Sequence, residues 1–200
     1  CCVYVFDIIY NPSKTRLLLD AERLGIPHMN GLPMLAQQAR CSAQLFTGTK
    51  ISESKTKEII GLLERDMQNI VLIGMPGCGK TAIGRQLAKM CGKTFVDLDE
   101  EIEKSENKSI SSIFAEGGEE LFRNLETDVI RAFGKQSGLV ISTGGGCVTK
   151  KENYELLHQN GKIFWIKRDI DSLPKNDRPI SQSTDLSELY KKRKKLYESF

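Results

Sequence analysis

The octapeptide Gly74-Met75-Pro76-Gly77-Cys78-Gly79-Lys80-Thr81 follows the apolar run Ile70-Val71-Leu72-Ile73. It fits the pattern G-x-x-x-x-G-K-[ST], whose glycines let the backbone curl until successive N–H groups face an anion. A helix following the loop adds the positive end of its dipole. In such a cradle Gly77, Cys78, Gly79, Lys80, Thr81 and Ala82 would meet the phosphates of a nucleotide such as ATP. Lys80 would reach the β- and γ-phosphates, and the Thr81 hydroxyl would coordinate Mg²⁺. Cys78 has no assignable base and reads as a small filler of the loop rather than a nucleophile.

The acceptor of a phosphoryl group must be read from residues further along. Phe95-Val96-Asp97-Leu98-Asp99 ends a predicted strand with two carboxylates. Strand alternation would put Asp97 and Asp99 on one side, at the carboxyl end where ligands sit in open α/β sheets. One could hold a metal-bound water while the other takes a proton from a hydroxyl; a solvated acidic loop is the plainer reading. In Gly118-Glu119-Glu120-Leu121-Phe122-Arg123-Asn124-Leu125-Glu126, Arg123 lies one helical turn from Glu119 and Glu126. A guanidinium aimed in that way suits a carboxylate ligand, although an ordinary surface ion pair fits the same spacing. Ser142-Thr143-Gly144-Gly145-Gly146 follows another apolar strand, and its glycines either admit a ligand close to the backbone or form a plain loop.

The elements that must position these residues alternate. Strands are expected at Asn69–Ile73, Thr94–Leu98, Gly138–Ser142 and Lys162–Ile166, with helical patterns at Thr81–Met90, Glu100–Lys108, Glu119–Phe133 and Asn153–Gln159. That alternation predicts an α/β fold, a parallel sheet flanked by helices. Ahead of it, residues 2–10 read as a buried strand, Lys14–Leu24 and residues 34–46 as helices, and residues 47–57 as a polar connector. A further helix carries Ile59, Ile60, Leu63 and Met67, and a domain boundary is placed near residue 68.

Bulk properties exclude some classes. The 200 residues are 40% hydrophobic and 28% charged, enough to bury a core, and the net charge of +3 does not call for a nucleic-acid partner. No apolar run is long enough to span a bilayer, and the apolar opening lacks the marks of a signal peptide. The six cysteines show no C-x-x-C spacing and form no cluster with either histidine, which argues against zinc and for a reducing, cytoplasmic setting. The chain begins at Cys1 and stops at Phe200, and both ends read as cut.

Taken in order, these motifs resemble the shikimate kinase family. The resemblance runs from about Asn69 to Phe200: GMPGCGKT, the DLD of Asp97–Asp99, GEELFRNLE from Gly118, STGGG at Ser142–Gly146, Asp177-Arg178-Pro179-Ile180 and Lys192-Arg193. It implies a P-loop kinase, like the nucleoside monophosphate kinases in fold. The reaction implied moves the ATP γ-phosphoryl group to the 3-hydroxyl of shikimate, in chorismate and aromatic amino acid biosynthesis. By the same resemblance Asp97 helps anchor Mg²⁺, and Asp99 binds ring hydroxyls and takes the proton. Arg123 and Arg193 clamp the substrate carboxylate beside Gly144, Gly145 and Gly146, and Arg178 closes over the phosphates from a lid. The catalytic set is then Lys80, Asp99 and Arg178, and the kinase portion is expected to be monomeric. A P-loop kinase for another small hydroxylated substrate, or an inactive nucleotide-binding or basic interaction module, are the competing readings.

The resemblance has two departures. An arginine often found shortly before the lid Arg-Pro is replaced here by Asp171-Ser172-Leu173-Pro174-Lys175, and the last strand of the family's sheet would lie beyond Phe200. The front of the chain resembles a different enzyme. Residues 3–49, with Val3–Pro12, Thr15, Leu17-Leu18, Gly31–Leu35 and Gln38-Ala39, resemble the carboxyl-terminal part of shikimate dehydrogenase. That likeness implies a dehydrogenase–kinase fusion divided into residues 1–49, a connector and helix at 50–68, and a kinase domain at 69–200. Tyr10, Met34 and Gln38 would be dehydrogenase-site residues, Gln38 towards shikimate and Met34 towards nicotinamide. NADP would belong only to the missing portion, and no dehydrogenase activity is expected from these residues alone.

Overall fold

The computed structural model describes residues 2–169 and 186–200. Its centre is a four-stranded parallel sheet of β3 (Asn69–Ile73), β4 (Thr94–Asp97), β5 (Leu139–Ser142) and β6 (Gly161–Trp165), in the order β4-β5-β3-β6. The two inner strands read as unbroken apolar runs because helices cover both faces of the sheet. Val71, Leu72, Ile73, Val140 and Ile141 are all essentially inaccessible to solvent. Pairing of Leu72 with Ser142 and of Asp97 with Ser142 aligns the carboxyl ends of three strands. The phosphate loop, the aspartates and the glycine run therefore leave the sheet along one edge, where open α/β sheets place their ligands.

Two of the helices fit the sequence patterns closely, while the helix expected from Glu119 starts well ahead of it, at Ile110. α4 (Lys80–Cys91) and α7 (Glu152–His158) lie within a residue of expectation. The second aspartate is placed differently from its expected strand position. β4 stops at Asp97, which caps α5 (Leu98–Glu106) by accepting a hydrogen bond from the Asp99 backbone N–H at 3.1 Å. Asp99 thus sits in the first helical turn, because an aspartate that can satisfy an open helix N-terminus ends the strand there. α6 (Ile110–Gly134) begins at a Ser109 cap and breaks at Gly118, where φ is 66° and ψ −162°. Its second half places Arg123, Glu126, Thr127 and Ile130 on one buried face, the i, i+3, i+4, i+7 stripe of a core-facing helix. Ile130 packs with Leu98, Ile102, Ile113, Phe122, Ile141 and Leu157 into one apolar cluster beneath the site. Each such fully buried side chain contributes about 1.5–3 kcal/mol. The last described helix is α8 (Leu186–Ser199).

The front of the chain departs most from expectation. Of residues 2–10, only β1 (Val5–Phe6) is a strand, parallel to β2 (His28–Met29) across α1 (Arg16–Arg23). It is not buried: Val3 is 81%, Phe6 69% and Ile8 74% exposed, since a two-stranded sheet has two faces and α1 supplies cover for only part of them. α2 (Leu32–Thr47) pairs with α3 (Glu53–Met67), whose N-cap Ser52 accepts from the Lys55 backbone N–H. That cap shortens the connector to residues 48–52 and turns the rest of the polar stretch into helix. Ser13 and Lys14 tie this front segment to the turn after α7, bonding Gln159 and Asn160 at 2.8–3.0 Å. Among the described residues no helix is long and apolar enough to cross a membrane.

Candidate active site

Gly77 and Gly79 take φ values of 77° and 99°, left-handed geometry that a side chain would oppose, and this lets the loop wind into the start of α4. Lys80 is buried, and its ammonium donates to the carbonyls of Gly74 (2.9 Å) and Met75 (3.0 Å). The charge is thereby held inside the curl of the loop instead of in solvent. Cys78 is also buried, with its sulfur 3.8 Å from the Lys80 ammonium, and it fills the loop interior as expected. Gly77, Gly79, Lys80, Thr81 and Ala82 line one wall of a cavity of about 230 Å³, whose other walls are Asp97, Asp99, Ser142 and Thr143.

The Thr81 hydroxyl donates to Asp97 Oδ2 at 2.7 Å. A hydroxyl and a carboxylate so close, at the mouth of a phosphate loop, fit Mg²⁺, which takes one or two protein oxygens and completes its shell with phosphates and waters. Among the described residues no group of three or more His, Cys, Asp or Glu side chains is placed to hold a metal by itself.

The opposite side of the site is cationic. Arg123 donates through Nη1 to Glu126 Oε2 at 2.6 Å and through Nε and Nη2 to Glu119 Oε1 at 3.2 and 3.1 Å. Burial works against its charge, but Glu126 and Glu119 outweigh that and raise the guanidinium pKa, so Arg123 stays protonated. Its side chain is only 7% exposed and that of Glu126 is wholly buried, so this is not an ordinary surface ion pair. Arg193, from α8, donates to the Gly145 carbonyl at 3.1 Å and lies 3.9 Å from Glu119. Glu119 therefore stands between the two guanidinium groups and sets their spacing.

The glycine run is the joint between the phosphate and guanidinium sides. A β-carbon on Gly144 would lie 2.4 Å from Glu126 Oε1 and 2.9 Å from Asp99 Oδ1. One on Gly146 would lie 2.1 Å from the Arg123 guanidinium, so these positions require the absence of a side chain rather than loop freedom. Asp99 and Glu126 meet across Gly144, which puts a carboxylate beside both the phosphate cavity and the arginines. Cys147, next along, is fully buried; burial and the nearby Glu126 push its thiol up to about 12, so it stays a neutral packing group.

Every expected kinase-site residue within the described segments, from Gly77 to Arg193, converges on this edge. Arg178 lies outside the described residues, as does the stretch from Asp171 to Lys175. The three expected dehydrogenase residues do not converge. Tyr10 lines a separate, larger cavity of about 570 Å³ between the front segment and the sheet, whereas Met34 and Gln38 are exposed on α2 and do not line it. That cavity contains none of the phosphate-loop residues, and its size alone does not make it the seat of the chemistry.

Sequence reasoning passed over Ser142 and Thr143 as cavity walls, although both stand beside the glycines in the same motif. It used Glu126 only to aim Arg123. In the structure Glu126 is wholly buried, and its Oε1 has no hydrogen-bond partner among the described residues. Burial raises the Glu126 pKa, with Asp99 adding to the effect and Arg123 opposing it.

Comparison with known proteins agrees with this geometry. A family model described as shikimate kinase matches residues 76–200. Shikimate kinase of Persephonella marina is 40% identical over 138 residues, covering 66% of this chain and 84% of that protein. The shikimate kinase of Prochlorococcus marinus strain NATL2A is 43% identical over 140 residues, covering 65% of this chain and 70% of that one. Among solved structures, shikimate kinase from Acinetobacter baumannii in complex with shikimate has a TM-score of 0.61 and 32% identity, covering 69% of this chain and 82% of that one. Shikimate kinase from Aquifex aeolicus gives 0.59 and 31%, covering 66% and 83%. With the family model spanning more than half of the sequence and relatives at 40% identity matched over most of their own length, the chain belongs to the shikimate kinase family.

Proposed function

We propose that the chain transfers the γ-phosphoryl group of ATP to the 3-hydroxyl of shikimate, releasing ADP and shikimate 3-phosphate, a step of chorismate biosynthesis. The observation that carries this reading is the meeting of Asp99 with the Arg123–Glu126 pair across Gly144, at the mouth of the phosphate cavity. An acceptor bridging the two needs an anionic group for the arginines and a hydroxyl for the aspartate. A carboxylated cyclic alcohol supplies both.

Lys80 and the loop amides hold the β- and γ-phosphates, where fixed positive charge meets charge that builds on the transferring group. Thr81 and Asp97 would hold Mg²⁺, which supplies charge neutralisation between the phosphates when bound. Asp99 orients the attacking hydroxyl and accepts its proton as the oxygen bonds to phosphorus and the bridging oxygen leaves with ADP. Arg123 and Arg193 fix the acceptor carboxylate, and the near-attack geometry so imposed accounts for much of the rate. Arg178 would close over the phosphates. An ADP-release assay coupled to NADH oxidation tests the reading: turnover is expected with shikimate and Mg²⁺-ATP and none with gluconate or a nucleoside monophosphate. ATP consumption that does not depend on shikimate would overturn it.

We further propose that residues 1–49 are a carboxyl-terminal piece of a shikimate-dehydrogenase-like unit, joined through residues 50–68 to the kinase domain at 69–200. The parallel β1-α1-β2 unit and the uncovered apolar residues of the front segment, among them Leu45 at 86% and Phe46 at 89% exposure near the end of α2, support that reading. NADP would be bound only by the rest of such a unit. The 200 residues are expected to form no NADPH from shikimate and NADP, and to bind an apolar fluorescent dye through this face. NADPH formation, or a chain that leaves the dye dark, would overturn the assignment. The free cysteines at 2, 41, 78, 91 and 147 suit a reducing cytoplasm, the compartment we assign.

A further inference from the structure

Gly145 has a carbonyl with two donors. Arg193 Nη1 reaches it at 3.1 Å, and the Tyr197 hydroxyl, one turn further along α8, donates to the same oxygen. Tyr197 is buried, and its ring stacks on Trp165 at the end of β6 with centroids 5.5 Å apart. The hydroxyl also lies 3.9 Å from the Met75 sulfur, inside the phosphate loop. On the other side of the same peptide, a β-carbon on Gly145 would stand 2.6 Å from the Pro76 ring. The Gly145 peptide is thus packed between the phosphate loop and α8, and among the described residues the hydrogen bonds to its carbonyl come from α8.

Doubling the donor has a physical use. A guanidinium that grips an anionic acceptor turns part of its donor capacity away from the protein, and a buried carbonyl abandoned by its only donor is costly. A second donor that never contacts the acceptor removes that conflict. Fixing the Gly145 carbonyl also fixes the Gly146 N–H, because the two share one planar unit and point in opposite directions. Gly146 in turn lies against the Arg123 guanidinium.

We propose that Tyr197 is a positioning residue for the acceptor: its hydroxyl holds the Gly145–Gly146 peptide in place while Arg193 engages the acceptor carboxylate. This deepens the kinase reading above and rests on it. Burial raises the phenol pKa further from neutrality, so the hydroxyl remains a donor at neutral and mildly alkaline pH alike.

The test is Tyr197→Phe in the full chain, which keeps the ring on Trp165 and deletes one oxygen. The KM for shikimate should rise about tenfold, the equivalent of one lost hydrogen bond to a buried group. The KM for ATP and the melting temperature should stay close to those of the wild type. Trp165→Phe serves as the packing control, lowering the melting temperature without selectively raising the acceptor KM. Equal rises in both KM values, or a fall in melting temperature with no acceptor effect, would reduce Tyr197 to a packing residue and overturn the proposal. An active wild type with an unchanged acceptor KM in Tyr197→Phe overturns the Tyr197 assignment alone, whereas a wild type inert towards shikimate overturns the kinase reading with it.

Discussion

Replacing Lys80 by Ala should lower kcat by about 10³-fold or more while leaving the KM for shikimate within a few-fold of the wild type. The reason lies in where the ammonium is held. Two loop carbonyls keep it inside the curl of Gly74–Thr81, beside the strand edge where the γ-phosphate would be presented. Charge fixed there needs no reorganisation when negative charge shifts between the oxygens of the transferring group. Removing it should cost the transition state more than the bound acceptor, which on the proposed reading would lie on the far side of Gly144. Lys80→Met separates loss of charge from loss of packing, because it keeps the buried stem while removing the ammonium. Both variants should lose comparable activity, and Lys80→Met should fold as well as the wild type. Substantial turnover by either would show that the loop does not position phosphate. Equal losses in nucleotide and acceptor affinity would point instead to a collapsed site.

Much of this site is legible in the sequence, and the reason is periodicity. Ile70–Ile73 and Leu139–Ile141 are continuous apolar runs because both faces of an inner strand are covered, and each is followed by glycines at the shared edge. Arg123, Glu119 and Glu126 could be placed together because helical spacing alone makes them neighbours. The errors have equally local causes. Strand alternation puts Asp97 and Asp99 on one strand because it cannot reveal that Asp97 caps a helix, its carboxylate accepting from the Asp99 backbone N–H. Residues 2–10 look buried by composition, but burial depends on what covers a strand, and two strands with one short helix leave β1 mostly in solvent. The close approach of Glu126 Oε1 to Gly144 and the second donor on Gly145 depend on contacts 18 and 52 residues away in sequence, Gly144 and Tyr197, which no local pattern encodes.

Those distant contacts change how the front of the chain is understood as well. Ser13 and Lys14 bond to the turn after α7, and Asn153 at the other end of that helix donates to the Cys147 carbonyl at 2.8 Å. Asn153 also accepts from Thr127, whose hydroxyl reaches the Arg123 carbonyl. A short helix therefore braces the acceptor side of the site at its amino end while its carboxyl end is tied to residues outside the kinase sheet.

Arg123→Ala is expected to do two kinds of damage that can be separated. Glu126 is wholly buried and, among the described residues, its one ion-pair partner is Arg123, so the truncation strands a carboxylate in the core. Breaking a buried pair from one side costs about 3–5 kcal/mol, enough to lower the urea midpoint plainly. The same change removes charge-assisted hydrogen bonds to the acceptor, worth about 1.5–3 kcal/mol, and should raise the shikimate KM by roughly 10- to 100-fold. Arg123→Leu combined with Glu126→Leu tells the two apart. With both charges gone and the volume kept apolar, no ion is left unpaired, and most of the stability should return. The acceptor KM should remain as high as in the single variant, because nothing has replaced the guanidinium. A double variant that regained acceptor affinity along with stability would mean that Arg123 only props up the fold. A single variant with normal stability and a defect confined to ATP would mean that neither Glu126 nor the acceptor depends on it. The coupling between the two positions, measured as the departure from additivity, should amount to several kcal/mol in stability and close to zero in acceptor binding.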